Sequence, residues 1–497
     1  MKSRTCELPK EHISPKIQAN FALGAFANNV LNAFVFANLT FFYNEKYGAD
    51  AYLLGIAWLI FGIWNTLNDP IVSYFIDNTR TKIGRRIPYI RYGSFFYGAA
   101  FIFCFFPIAQ PGDQVGLFIN FLLALFFLDT MFSIVGCCFF SLPNEIAVTA
   151  EGRAKLSVYT VVAAFFSTGL TLLIPILLLT NQQGIHPLFG PTVILIGIGS
   201  ALILFFSSFG IKENMFAQLQ PQEGFLEGLK LTLKNKPFWI FMVPAFCITL
   251  IMPVVSTGIL YYIDYVIRGQ PLEFFLITLV TGILLGMGLY VSKIDDFGAK
   301  RTMMMAFSIL TGGFLMLFFM GFNVFWAMIP FFFVGFGLAG GLVANPVVMG
   351  DVIDNDELIT GRRREAVYGG VNAIFTKPAI SIANWLFLFV IKGFGFIDPV
   401  AQNGEVIKQA QPDTALIGIM FAICIIPAIG LIISTIAMHW YPLEGEEWIQ
   451  KKNEIMELHE KKQQEYLDKL VQEGKIDTKC INLGETERDK PNSSKDI

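Results

Sequence analysis

Apolar residues run in blocks of about twenty along this chain, the length of helix needed to cross a hydrocarbon core roughly 30 Å thick. Such blocks lie near 17–43, 51–76, 88–108, 115–142, 155–180 and 190–210. The polar stretch 211–236 interrupts them, and six more follow near 237–266, 272–291, 302–322, 324–349, 366–392 and 414–440. The pattern predicts an all-α membrane protein with twelve transmembrane helices in two six-helix bundles. It divides the chain into an N-terminal tail (1–16), a first bundle (17–210), a central loop (211–236), a second bundle (237–440) and a charged tail (441–497). The first block is too long for a signal-peptide core and lacks a small-residue cleavage site, so it counts as a span.

Lysine and arginine are shared unequally between the two sets of loops. One set holds Arg80, Lys82, Arg85, Arg86, Arg91, Arg153, Lys155, Lys212, Lys230, Lys234, Lys236, Lys293, Lys300, Arg301, Arg362, Arg363 and Arg364. The other holds only Lys46, Arg268, Lys392 and Lys408. Positively charged loops are retained inside, so both termini are expected in the cytoplasm. The tail sequence GEEWIQKKNEIMELHEKKQQEYLDKL reads as a solvated helix, with Glu447–Lys451, Glu457–Lys461 and Glu465–Lys469 spaced four apart, and disorder is expected beyond Lys475.

Polar residues inside the apolar blocks mark the candidate chemistry. The second block carries Asn65, Asn68 and Asp69, followed by Pro70. Asn65 and Asp69 share a helix face. A carboxylate at that depth costs roughly 2.5–3.5 kcal/mol to insert, which selects for a cavity, an ion or a partner. Asp69 is therefore expected in a cation or proton site, the alternative being a structural hydrogen bond to a neighbouring helix. Asn28, Asn29 and Asn32 give the first span a polar face that either binds a polar substrate or joins helices. Asp264 stands among tyrosines near the end of span seven, as a vestibule residue or an interface anchor.

The loops repeat a motif. After span two come Asp77, Gly84, Arg85 and Arg86; after span eight come Asp295, Asp296, Gly298, Lys300 and Arg301. After span ten come Asp351, Asp354, Asp356 and Glu357, then Arg362, Arg363, Arg364 and Glu365. Acids and bases at equivalent places can lock helix ends in one conformation and release them in another, so Asp77, Arg85, Arg86, Asp351, Asp354, Arg363 and Arg364 are gating candidates. Asp129, within span four and one turn from Ser133, is expected to join that cytoplasmic charge cluster. The alternative is that the basic residues only set topology.

Composition narrows the function. The chain has 497 residues, 54% hydrophobic and 15% charged, with 51 phenylalanines and a net charge of −3, so nothing points to nucleic acid. No phosphate-binding GxxxxGK motif, no nucleophile–base set and no metal-binding cysteine or histidine cluster occurs, which argues against an ATP-driven pump, an enzyme and a resident metal or cofactor.

Three stretches carry a family resemblance: Leu23-Gly24-Ala25-Phe26, the run Trp64-Asn65-Thr66-Leu67-Asn68-Asp69-Pro70 with its basic loop, and DVIDNDELITGRRREAVYGGVNAIFTK over 351–377. The chain resembles the glycoside–pentoside–hexuronide:cation symporters, the melibiose-permease-like branch of the major facilitator superfamily. The resemblance implies a major facilitator fold, in which two bundles rock about a midplane site. It implies a cation site at Asn65, Asn68, Asp69 and Ser133. The family's first acid is an amide here, Asn65, so Asp69 alone supplies formal charge there. The coupling ion stays open between proton and sodium. The resemblance also implies that Lys377, with Asn372 and Thr376 near it, lies between the two halves, pairing with Asp69 or a substrate anion; the alternative is a lysine reaching toward cytoplasmic water. The family's sugar-binding acids match Asn29 and Gly136, so the polar ring that would hold several hydroxyls is reduced.

The expected function is a secondary symporter of a small, sugar-like solute, acting as a monomer in the lipid bilayer by alternating access. A transporter of lysolipid or another amphipath, and a non-transporting sensor or scaffold, are the alternatives.

Overall fold

The computed structural model describes residues 14–457 apart from 80, 82, 147–149, 182–183, 212–231, 269, 271–272, 362–363, 403 and 456. Among the described residues the chain forms twelve long helices. They are α1 (Pro15–Lys46), α2 (Ala51–Asn78), α3 (Ile87–Phe105), α4 (Gln114–Ile146), α5 (Ala150–Leu178) and α6 (Phe189–Gly210), then α7 (Lys236–Val266), α8 (Glu273–Phe297), α9 (Ala299–Met320), α10 (Val324–Thr360), α11 (Glu365–Gly393) and α12 (Asp413–His439). Eleven are long and apolar enough to cross a membrane, and α3 packs against α4 and α6 in the same bundle.

Local chemistry sets the helix ends. Ser14 accepts from the Ile17 N–H with Pro15 opening α1, Asp50 accepts from Leu53 N at 3.0 Å to start α2, and Asn323 accepts from Phe325 N at 3.0 Å to start α10. Gly361 ends α10 in the left-handed region, with φ 72°, where a side chain would be strained. Helix α10 runs 37 residues. At 1.5 Å per residue that is about 55 Å, well beyond the roughly 30 Å of a hydrocarbon core. The sequence expectation stopped near 349, because the charged stretch after Gly350 does not look like a span, yet it continues the helix past the membrane.

The two bundles repeat one packing scheme. Within the first, α1 packs on α5 and α6, α4 on α2 and α3, and α3 on α6. Within the second, α7 packs on α11 and α12, α10 on α8 and α9, and α9 on α12. The bundles meet along α2–α11 and α1–α7. Close approach of α2 and α11 depends on Gly62, where an added Cβ would stand 2.9 Å from the Ser381 Cβ. The first and seventh helices each end in a π-helical turn, Phe42–Lys46 and Tyr262–Val266.

Two features differ from the sequence expectation. A short antiparallel hairpin, Val400–Gln402 with Glu405–Ile407, joins α11 to α12. The tail helix over 445–455 is docked rather than solvated: Trp448 and Ile455 are buried, and Lys452 pairs with Asp351 at 2.7 Å. Behind it, Lys300 Nζ donates to the carbonyls of His439 and Tyr441 and to Glu444 Oε1, at 3.0, 2.8 and 2.6 Å. Glu447–Lys451 does pair, at 2.8 Å. The expected pairs Glu457–Lys461 and Glu465–Lys469, and the stretch beyond Lys475, lie outside the described residues.

Candidate functional site

Helices α2, α4 and α11 bring one polar cluster into the interior of the apolar bundles. Asp69 on α2 and Lys377 on α11 form an ion pair at 2.5 Å, with side-chain exposures of 22% and 17%. Each is followed by a proline, Pro70 and Pro378. A proline has no N–H for the carbonyl four residues back, so the carbonyls of Thr66 and Ile374, one turn earlier, lose that helix bond. The Ser133 hydroxyl of α4 donates to Asp69 Oδ1 at 2.5 Å. The Asn68 amide donates to Ser133 Oγ at 2.9 Å and to Asp129 Oδ2 at 3.0 Å. Asn65, one turn before Asp69, is buried, and its Nδ2 has no hydrogen-bond partner among the described residues.

Of the expected cation ligands, Asn68, Asp69 and Ser133 are therefore connected directly, and Asn65 shares their helix face. Lys377 joins them by reaching across to the first bundle rather than toward water. Asp129 is placed differently from the expectation. It is 1% exposed and bonded to Asn68, within electrostatic reach of Asp69 and Lys377, instead of standing in a loop cluster. The spacing of Asp129 and Ser133, four apart, carried that signal; only packing showed which helix their face meets.

The remaining candidates sort as follows. Asn28 is buried with its Oδ1 unpartnered among the described residues and its carbonyl accepting from the Tyr97 hydroxyl of α3 at 3.4 Å, and Asn29 and Asn32 are half-buried. Asn38 of α1 joins helices, donating to the Thr171 carbonyl of α5 at 3.1 Å. The Thr376 hydroxyl donates to its own helix at the Asn372 carbonyl, 2.8 Å away, and the Asn372 Oδ1 is buried without a partner among the described residues.

Among the gating candidates, Arg364 forms a bidentate pair with Asp356 of the same bundle, and Asp351 pairs with the tail. Asp354 is half-buried, Arg85 buried and Arg86 half-buried. Arg363 and the side chain of Asp77 lie outside the described residues. The ion pairs resolved at this basic end each join groups within the second bundle and its tail.

The opposite end holds a set of bonds between the bundles. The Tyr261 hydroxyl donates to Asn44 Oδ1 at 3.0 Å and the Tyr265 hydroxyl to Glu45 Oε2 at 2.6 Å. Asn44 Nδ2 donates to Asp398 Oδ1 at 2.8 Å, and Lys392 lies 2.5 Å from Asp398 and 3.7 Å from Asp50. Asp264 accepts from the Asn181 N–H at 2.7 Å and pairs with Lys408, so it bridges the bundles as well as standing among tyrosines. Burial raises the Asp398 carboxyl above the usual carboxylate range, against the opposing pull of Lys392 and Asn44. Sequence reasoning missed Asn44, Glu45, Tyr261, Tyr265, Asp398 and Lys408. Their signal was the run of acids and amides between aromatics at the ends of spans one and seven.

Residues 20–445 match the family described as MFS/sugar transport protein. The chain belongs to that family. It is a multi-pass integral membrane transporter of the glycoside–pentoside–hexuronide:cation branch and not an enzyme. It is 24% identical to an uncharacterized symporter, YnaJ, of Bacillus subtilis over 92% of this chain and 97% of the relative. It is 20% identical to a glucuronide carrier protein homolog of Escherichia coli over 91% and 97%. The inward open conformation of the xylose transporter XylE from E. coli aligns with a TM-score of 0.57 at 15% identity, covering 86% of this transporter and 96% of that chain, a likeness of fold.

Proposed function

We propose that this transporter is a cation-coupled symporter of a small sugar-like solute, working by alternating access with its basic end and both termini in the cytoplasm. The two relatives above are named as a symporter and as a glucuronide carrier protein homolog. The observation that carries the mechanism is the Asp69–Lys377 pair, which ties α2 of one bundle to α11 of the other at 2.5 Å with both side chains partly exposed. Lys377 acts there as an internal counter-ion. A cation reaching Asp69 replaces the ammonium, the Ser133 hydroxyl and Asn68 amide supply further oxygens, and the released Lys377 is free to meet a substrate oxygen or anion. Loss of the tie loosens α2 from α11, while the bonds at the Glu45 end must break for the opposite face to open. Ion binding and bundle movement are thereby linked through one side chain. The protein acts as a monomer, because site and moving interface lie within one chain.

Uptake of radiolabelled pentosides and hexuronides into proteoliposomes tests this reading. Accumulation that disappears when the imposed proton or sodium gradient is collapsed supports it; absence of uptake for every sugar under either gradient refutes it.

One observation favours an amphipathic substrate as a second reading. A groove of about 410 Å³ lies between α2 and α11, lined by Leu59, Gly62, Ile63, Thr66, Leu67 and Ser381. Its wall is almost wholly apolar and adjoins the helix turn that carries Lys377, an arrangement suited to an alkyl or aryl group attached to a polar head. Uptake of lysophosphatidylcholine with no sugar flux would establish that reading in place of the first.

A further inference from the structure

A second cavity, of about 340 Å³, lies at the end of the molecule opposite the basic loops, between the last turn of α7 and the chain that follows the hairpin. That volume falls in the range of small-molecule sites. Asp264, Tyr265, Arg268, Lys408, Gln409 and Gln411 line it. Gln411 is committed to the loop: it accepts from the Ile397 N–H at 2.9 Å and donates to the Ile397 carbonyl at 2.7 Å. Tyr265 gives its hydroxyl to Glu45, so it offers the cavity its ring. Gln409 donates to the Ile407 carbonyl at 3.1 Å, and its Oε1 has no partner among the described residues. Arg268 is exposed, and no described residue pairs with its guanidinium. The acid in the wall, Asp264, is 2% exposed and already holds Lys408 and the Asn181 N–H. Glu45 and Asp264 are matched by Lys46 and Lys408, which lie within electrostatic reach of them. Among the described residues that line the cavity no other acid occurs, so the Arg268 charge is left over.

We propose that this cavity is an outer docking site for an acidic monosaccharide, separate from the interior cluster. The sugar carboxylate meets the Arg268 guanidinium, whose planar fork matches it. The C–H groups of the sugar ring lie against Tyr265, and a hydroxyl donates to Gln409 Oε1. A neutral sugar leaves Arg268 unanswered, and a simple carboxylate leaves the ring and the amide unused, so only both parts together fill the site. Tyr265 also makes the bond to Glu45 between the bundles, so a solute held here stands at the seam that parts when this end opens. The inference rests on the symporter reading and names its substrate class and point of entry.

The test uses the full-length protein in lipid nanodiscs, with D-glucuronate, D-glucose and acetate as probes in calorimetric titrations. The pair Asp69→Asn with Lys377→Gln removes the interior charges and leaves this cavity untouched, so it isolates the outer site. In that background D-glucuronate binds saturably, and D-glucose and acetate each bind at least about tenfold more weakly. Adding Arg268→Gln, an exposed position whose change spares the packing, weakens D-glucuronate at least about tenfold, the loss expected when a charge-assisted bond is removed. Should the background pair fail to fold, uptake into proteoliposomes decides: Arg268→Gln alone raises the half-saturating D-glucuronate concentration by a similar factor. Absence of D-glucuronate binding in the folded pair, acetate bound as tightly as D-glucuronate, or an affinity or half-saturation unchanged by Arg268→Gln each overturns the proposal. Sugar uptake without Arg268-dependent binding would remove the outer site and keep the symporter; Arg268-dependent binding without uptake of any sugar would do the reverse.

Discussion

The Tyr265 hydroxyl donates to Glu45 Oε2 at 2.6 Å, joining the last turns of two helices that hold equivalent places in the two halves. Both residues lie in π-helical turns, which widen the helix and turn extra polar groups inward. Each bundle thus presents an aromatic–acid turn to the other. Glu45 is buried and its second oxygen has no partner among the described residues. Tyr265→Phe removes the donor to the first oxygen and costs about 1–3 kcal/mol at this contact. Hydrogen–deuterium exchange over 42–46 and 262–266 should quicken while the α2–α11 contact is unaffected. Unchanged exchange in both turns would show that the bond does not hold this end closed.

Asp69→Asn should abolish gradient-driven accumulation while sparing expression. It leaves Lys377 without its carboxylate, and removing one partner of a buried pair costs about 3–5 kcal/mol. The pair is partly exposed, so the lower part of that range is expected. Adding Lys377→Gln should recover the melting temperature without recovering transport. If the double variant remains as unstable as Asp69→Asn, the two groups are not coupled.

Asn65→Asp places a carboxylate one helical turn from Asp69, on the face that already holds the cluster. Sodium dependence of solute uptake should rise, seen as half-maximal activation at lower sodium. Uptake that ignores sodium in both forms would count against a cation site on this face.

The docked tail gives a graded stability prediction. Lys300 donates to three oxygens from a buried position, whereas Lys452 is 40% exposed in its pair with Asp351. Lys300→Met should cost about 1.5–3 kcal/mol, and Lys452→Ala under about 1 kcal/mol because water screens the pair. Thermal melting of the purified variants in detergent measures both. Equal losses would mean that the tail is held by Trp448 and Ile455 packing alone.

The run of apolar blocks by itself determined the membrane class, the twelve helices and the six-and-six order, because spanning lipid leaves the backbone few options besides helices about as long as the core is thick. The Asn68–Asp69–Pro70 run likewise exposed the site, since an acid at that depth is too costly to lack a purpose. Tertiary structure alone decided what those groups meet. Lys377 is far from Asp69 in sequence and reaches it only because Gly62 lets α2 and α11 approach. Asp129 turned inward to Asn68 rather than toward the charged loops because packing of α4 on α2 sets the rotation of that face. The docked tail and the Glu45–Tyr265 closure were hidden for the same reason. A charged or aromatic residue at a span end looks identical in sequence whether it faces water or a partner helix, and only the packed fold brings the partner into reach.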